Sequence, residues 1–382
     1  MISAPSGPIK VFLVCSGLGL IWRGYESFTQ ECFETLSTDS RLDLTLFKGG
    51  GLAAEQEIRL WNLCRTHPFT QTLELVLKPL AGKDAYWLEQ TSFVCSLLPY
   101  LHRHQPDVIY FSDINVGNLL WHWRRLTRQR YKLLFSNGGP LPPPFPRWDH
   151  VQQVAPSHFQ AAIAAGQPVA KQTMVPYGFR IKPQLDVLSD DAKQALRRQL
   201  GLPDHRPLLL SVAAINKSHK RMDYLIQELA QLPEPRPYLL LLGQQNAESA
   251  DIIQLGHQRL GADNFQVRTV ASEQVGDYYK LADCFVLASL SEGLPRVLVE
   301  AMSYGLPCLT HHYEVPQFVL GNQGYFADFR LPGGLTGLIT QALAQLQDQA
   351  KRHLRHKAAY QQFSWDALRP AYVHLIQRCV TA

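Results

Sequence analysis

No uninterrupted apolar stretch in these 382 residues approaches the roughly 18 that would suggest a membrane span. There is no run of five or six like charges and no zinc-finger spacing, so no nucleic-acid partner is expected. The seven cysteines are scattered, odd in number and without a CxxC pair, which argues against both a disulfide framework and a zinc site. Charged side chains are sparse at 18%, and their formal balance of +5 is a mild excess that points to anionic ligands. Low-complexity tracts and repeats are missing. The opening MISAPSGPIKVFLVCSGLGL lacks a basic region before its short apolar stretch and a clear cleavage site, so it does not read as a signal peptide. Several thiols lie inside apolar runs, which fits a reducing compartment and an expected cytoplasmic location.

What is present is a globular chain. Hydrophobic residues make up 46% of it, and its length exceeds what one core usually serves, so two domains are expected. Short apolar runs at 9–15, 42–47, 108–111 and 133–135 read as buried strands, with helical segments between them. Further strands are expected at 151–155 and 173–176, after a proline-rich loop at 140–146. The stretch 176–191, ending in an acid-rich run, reads as a linker. The alternation then restarts, with strands at 208–215, 238–242, 265–269, 284–288 and 307–310 and helices at 222–232, 275–281 and 295–303. A terminal helix is expected over 365–380. Two successive α/β domains of this kind place ligands beyond the carboxyl ends of strands.

The most informative segment is SEGLPRVLVEAMSYGLP, residues 291–307. Pro295 suits a first helical position and Gly305 a helix end. The amides of Arg296 and Val297 would then point back towards the strand end, which makes an anion site fit for a phosphate. Glu300 stands among Val297, Leu298, Val299, Ala301 and Met302, on a helix expected to be mostly buried, where a carboxylate needs partners. Two partners fit: Arg296 four residues earlier, worth no more than roughly 0.5 kcal/mol in that order, or the hydroxyl pair of a ligand ribose. A second basic element follows the strand expected at 208–215, with Lys217, Lys220 and Arg221 leading into a helix. Clustered cations at that point can neutralise a diphosphate without a metal, although a solvated basic loop has the same composition.

Glu292 and Glu300, with seven residues between them in this setting, resemble the E-x7-E signature of retaining glycosyltransferases of family 4. The resemblance implies the α/β GT-B architecture: two Rossmann-like, doubly wound domains facing a central cleft. It sets an acceptor domain at 1–180, a nucleotide-sugar donor domain at 181–362, and a C-terminal helix at 363–382 that crosses back to the first domain. It implies that Glu292 contacts the donor sugar and Glu300 the ribose, and that Gly293, Leu294, Pro295 and Arg296 line the donor pocket. Lys220 matches the family's phosphate-gripping lysine. The family's arginine is replaced, since Ile215 or Asn216 stands in its place; Lys217 is the available substitute. Gly17 and Gly19 resemble the family's glycine-rich first loop near donor and acceptor, but Trp22 breaks the dinucleotide fingerprint. Asn137 stands where many relatives place a histidine facing the transferred sugar, and His150 is a candidate substitute. Val175-Pro-Tyr-Gly178 resembles an interdomain turn of the family.

These readings imply a retaining, metal-independent hexosyltransferase with no cofactor beyond the nucleotide diphosphate sugar, UDP- or GDP-linked. The acceptor is expected to be a glycan, a lipid-linked sugar or a small molecule, in polysaccharide or glycolipid biosynthesis. The departures at 137 and 215–216 keep open a non-catalytic GT-B subunit partnering another glycosyltransferase. A nucleotide-sugar epimerase or a phosphorylase shares the fold, and a dinucleotide-dependent oxidoreductase is a more distant reading. The basic, aromatic stretch 121–132 would suit peripheral contact with an anionic membrane surface, or a domain helix with a solvated face. His311-His312 and His102-Arg-His104 lack partners at metal spacing.

Overall fold

The computed structural model describes residues 7–21, 23–346 and 348–381. Trp22 lies outside the described residues. The chain divides into two units, one of residues 1–180 with 365–382 and one of residues 181–364.

In the first unit, strands β1 (Ile9–Cys15), β2 (Leu42–Lys48), β3 (Glu57–Arg59), β4 (Val108–Phe111), β5 (Lys132–Asn137), β6 (His150–Gln153) and β7 (Gln172–Met174) form one parallel sheet. Its order is β3-β2-β1-β4-β5-β6-β7. The central strands are largely apolar because helices cover both faces of a parallel sheet; VIYF of β4 is buried at every position, and only Lys10 of β1 is exposed. The core joins Phe12, Phe47, Phe93, Phe111, Phe135 and Trp148 across sheet and helices.

The second unit repeats the plan with β8 (Leu208–Val212), β9 (Tyr238–Leu242), β10 (Phe265–Arg268), β11 (Cys284–Leu287), β12 (Cys308–His311) and β13 (Tyr325–Ala327). The order is β10-β9-β8-β11-β12-β13, again all parallel. Strand order reverses direction between β1 and β4 in one sheet and between β8 and β11 in the other. In open α/β sheets these are the points where loops part and ligands enter.

The terminal helix Trp365–Thr381 belongs to the first unit. Trp365 stacks on Phe28 at 6.0 Å, and Phe28 on Tyr177 at 4.1 Å. The indole Nε1 donates to Glu31 at 3.1 Å, and the Tyr372 hydroxyl donates to the Pro176 carbonyl at 2.8 Å.

Some boundaries differ from those read in the sequence. The acid-rich end of the expected linker is a helix start: Ser189 caps Asp190–Gln199, its hydroxyl accepting from the Ala192 amide, with Asp190 and Asp191 in the first turn. Those acids favour the positive end of a helix, so a run that looked like solvated linker is an N-terminal signature. The edge strands β3 and β13, three residues each, carry no buried run and went unseen. The strand expected at 208–215 ends at Val212, with Ile215 making only an isolated bridge to Gln245.

Candidate functional site

The two motif loops of the second unit leave the carboxyl ends of β8 and β11, the neighbours at the reversal of strand order. The loop after β8 is organised by Asn216, whose side-chain oxygen accepts from the amides of His219 at 3.2 Å and Lys220 at 2.8 Å. The residue standing where an arginine was expected thus shapes the turn that aims Lys220. Lys220 Nζ meets Glu292 Oε1 at 2.5 Å, both side chains being more than four-fifths covered, and His219 Nε2 lies 4.0 Å from the same oxygen. Lys220 and Glu292 are 72 residues apart in the chain and form one charge pair.

The other two cations of the basic element point elsewhere. Lys217 is half exposed, its Nζ 3.0 Å from Asp251 and its amide bonded to Glu248. Arg221, in the left-handed region at φ 51°, donates to the Phe329 carbonyl at 2.8 Å and stands over the Tyr224 ring. Neither pairs with Glu292. For Lys217 nearby acids decide this, since Glu248 caps and Asp251 lies in the helix Ser249–Leu260 that follows β9.

Pro295 is the N-cap of helix Arg296–Ser303, one position earlier than expected. Among the described residues no acceptor takes the Val297 amide, while the Leu298 amide folds back on the Pro295 carbonyl at 3.0 Å. Gly293 and Leu294 carry the chain from Glu292 to this cap, with Leu294 buried. The helix is not apolar all round. Leu298, Val299, Ala301 and Met302 take all the burial, and the Glu300 side chain is 33% exposed. In two turns four inward residues cover one face and leave the other open, so the expectation of a mostly buried acid is corrected to a half-buried one. Glu300 Oε2 accepts from the Tyr279 hydroxyl at 3.2 Å, and Oε1 lies 3.8 Å from Arg296 Nε. Burial, and then the Glu300 charge, push the Tyr279 phenol well above its usual range, so it stays a donor to that carboxylate.

In the first unit, the loop after β1 closes tightly on the loop after β2. Gly19 has φ +80°, and a Cβ there would overlap the Gly50 carbonyl; a Cβ at Gly17 would strike the Glu26 carboxylate. Both glycines are therefore demanded by packing inside their own unit.

Around that loop lies a charged cluster that sequence reading did not assemble. Arg65 grips Glu89 through two guanidinium contacts, at 2.9 and 2.6 Å, and Arg23 grips Glu26 at 2.5 Å. The two guanidiniums flank the Tyr86 ring at 3.9 and 5.7 Å. The Tyr86 hydroxyl donates to Asp113, and Ser16 Oγ lies 3.2 Å from Glu89 and 3.4 Å from Asp113. Burial, with Glu26 adding like charge, holds the Asp113 carboxyl above its ordinary range against the Tyr86 bond. Ser16 follows β1 and Asp113 follows β4, so the cluster stands at the first sheet's own reversal of strand order. One signal was available: Glu89 is a lone acid in the apolar helix Ala85–His104, the same anomaly that singled out Glu300.

Asn137 is buried at the end of β5. Its amide donates to Gln153 at 2.9 Å and to the Leu141 carbonyl at 3.2 Å, and its oxygen accepts from the Leu141 amide. That engagement braces the proline-rich loop. His150 is buried on β6, with Nε2 2.8 Å from Thr173 Oγ1. Burial first, then Arg378, lowers its pKa from 6.5 to about 4. The folded pKa lies below the unfolded one, so this contribution to stability is whole above about pH 6.5 and is lost as pH falls through about 4. His150→Gln is expected to flatten that part of the stability curve by about 1–3 kcal/mol, read by urea unfolding at pH 7 and pH 4.5. Equal acid sensitivity in the variant would refute it.

The basic stretch at 121–132 ends the helix Ile114–Thr127 and enters β5. Arg124 pairs with Asp149, and Arg125 lies over Trp121 at 4.7 Å. Among the described residues no helix is long and apolar enough to cross a membrane.

Residues 192–362 match the protein family described as Glycosyl transferases group 1. The TuaC protein of Bacillus subtilis, a glycosyltransferase named for teichuronic acid biosynthesis, is 30% identical over 121 residues, 32% of this chain and 28% of its own. The chain spans at most about half the length of the curated relatives it matches. Among solved structures, sucrose-phosphate synthase from Thermosynechococcus elongatus superposes with a TM-score of 0.77 at 18% identity, over 98% of this chain and 99% of that one. HepE from Anabaena, in complex with UDP and glucose, superposes with a TM-score of 0.69 at 16% identity, over 96% and 99%. At these identities the likeness is one of fold: two parallel-sheet, Rossmann-like domains of the GT-B type.

Proposed function

With residues 192–362 matching the group 1 glycosyl transferases, we propose that this chain moves a hexosyl group from a nucleotide diphosphate sugar to a hydroxyl acceptor, in glycan or glycolipid biosynthesis. The carrying observation is the Lys220–Glu292 pair astride β8 and β11, with the Val297 amide at the start of helix Arg296–Ser303 five residues on from Glu292. That combination suits a diphosphate: fixed amides and one ammonium face the oxygens on which charge grows as the glycosyl bond breaks. Lys220 stabilises the leaving group, and Glu292, held through Oε1 by Lys220, accepts from hydroxyls of the transferred sugar. The exposed third of Glu300 accepts from the ribose diol, with Tyr279 holding the carboxylate in place. Gly293, Leu294, Pro295 and Arg296 form the wall against the donor. Lys217 serves only the rim of the site, given its bond to Asp251.

Transfer with retention of anomeric configuration, and without a metal, follows the same reading, since the ammonium and the amides do the charge neutralisation a divalent cation would otherwise supply. Uridine as the donor nucleoside is favoured by the UDP and glucose bound to HepE, one of the structural neighbours. The Arg23–Arg65–Tyr86–Asp113 cluster is the proposed acceptor subsite of the first unit, because it offers donors, acceptors and an aromatic face to a polyol. A cytoplasmic location belongs to the same proposal.

The test is a thermal-unfolding panel of nucleoside diphosphates and their sugars. A ligand present at about a hundred times its dissociation constant adds roughly 2.7 kcal/mol. UDP or GDP is expected to raise the unfolding temperature, and Lys220→Ala to abolish the rise. If neither diphosphate nor any of its sugars stabilises the wild-type chain, the donor assignment fails.

A further inference from the structure

The second unit also carries a solvent-open pocket of about 370 Å³ at the amino ends of β8, β11 and β12, the pole opposite Lys220 and Glu292. Its lining holds five Lys and Arg side chains (Lys193, Arg197, Arg206, Arg352 and Arg355) and four acids (Asp190, Asp204, Asp283 and Asp348). Lys193 and Arg197 both engage Asp283, at 2.6 and 2.7 Å. Arg197 also donates to the carbonyls of Leu281 and Arg206, which seals that wall.

The guanidiniums of Arg352 and Arg355 are poorly satisfied. Among the described residues Arg352 donates only to the Tyr304 carbonyl, at 3.4 Å. Arg355 is 5% exposed, touches the Gly305 carbonyl and the Tyr325 hydroxyl at 3.4 Å each, and has its Nε buried without an acceptor. Among the described residues no carboxylate lies within 4.0 Å of either. Burial lowers the Arg352 pKa; Asp283 opposes this and the Arg355 charge adds to it. Of the other acids in the lining, Asp204 pairs with His205 and Asp348 accepts from the Lys351 amide, while Asp190 is exposed in the first turn of its helix. Arg206 turns away to Asn264. The lining as a whole carries a net charge of only +1, five cations against four acids, but the positive charge is concentrated at Arg352 and Arg355, and a buried guanidinium is costly unless something accepts from it.

We propose that this pocket binds a small phosphate-bearing anion, its oxygens taken in the fork of Arg352 and Arg355 with Lys193 at the side. A phosphate presents enough acceptors for two guanidiniums at once, which a carboxylate would share less evenly. The volume leaves space for a small substituent on that phosphate, at the low end of ligand-pocket sizes. The reading does not depend on the donor site, which uses other residues at the other end of the same sheet.

Isothermal titration with inorganic phosphate and with glycerol 3-phosphate tests it, on the wild-type chain, Arg352→Ala and Lys220→Ala. Saturable binding of at least one probe is expected, weakened at least about tenfold by Arg352→Ala and unchanged by Lys220→Ala. Tighter binding of the ester identifies a phosphomonoester, and tighter binding of the inorganic ion identifies free phosphate; either supports the site. If Arg352→Ala does not fold, Arg352→Lys keeps the stem and charge but loses the fork, and a clear loss of affinity is still expected. No saturable binding by the wild type up to about 10 mM, binding that survives the Arg352 change, or binding lost with Lys220 would overturn the proposal.

Discussion

Lys220→Ala is expected to lower the rate of sugar transfer by on the order of 10²–10³, the usual cost of removing one preorganised donor from a developing anion. The expectation rests on where the ammonium is held. The Asn216 side chain folds the loop after β8 so that Lys220 reaches Glu292 at 2.5 Å, both being largely covered. An ion pair serving only to tie two loops would show its loss as stability, at most a few kcal/mol, with little change in nucleotide affinity. A donor-site pair behaves differently. Removing either partner disables the other, so Glu292→Gln and the double variant should lose little more than Lys220→Ala alone. The readouts are single-turnover transfer and nucleoside diphosphate affinity, measured beside urea unfolding. Additive losses in the cycle, or wild-type turnover in either single variant, would remove these residues from the chemistry.

Trp365→Ala is expected to cost about 3–5 kcal/mol, the range for deleting a buried aromatic side chain. The indole stacks on Phe28, lies 5.0 Å from the Tyr372 ring and donates to Glu31. It also lies against the backbone at Gly178, where any Cβ would collide with it. Phe28 does not move into the space, being held against Tyr177. Calorimetry should show the unfolding of residues 1–180 shifted to lower temperature, with the unit of residues 181–364 little changed. A shift confined to the second unit would mean that the terminal helix does not stabilise the first.

How far the site was legible depended on whether its parts were local. Glu292, Pro295 and Glu300 lie within nine consecutive residues, and their strand–loop–helix setting was readable from apolar runs, a proline and a glycine. The cluster of Arg23, Arg65, Tyr86, Glu89 and Asp113 was not, because it draws on four separate segments. Likewise, nothing in the run Lys217 to Arg221 tells its cations apart. Asp251 takes Lys217 and the Phe329 carbonyl takes Arg221, and both partners are remote in sequence.

The sequence alone determined the class of fold, most of the central strands and the motif helix, because buried strands and capped helices are written in the order of neighbouring residues. Only the tertiary structure decided which charges meet: Lys220 with Glu292, Arg65 with Glu89, Arg197 with Asp283. Ionic and hydrogen-bonded partners are chosen over a few ångströms of space, and residues that close in space can stand anywhere along the chain.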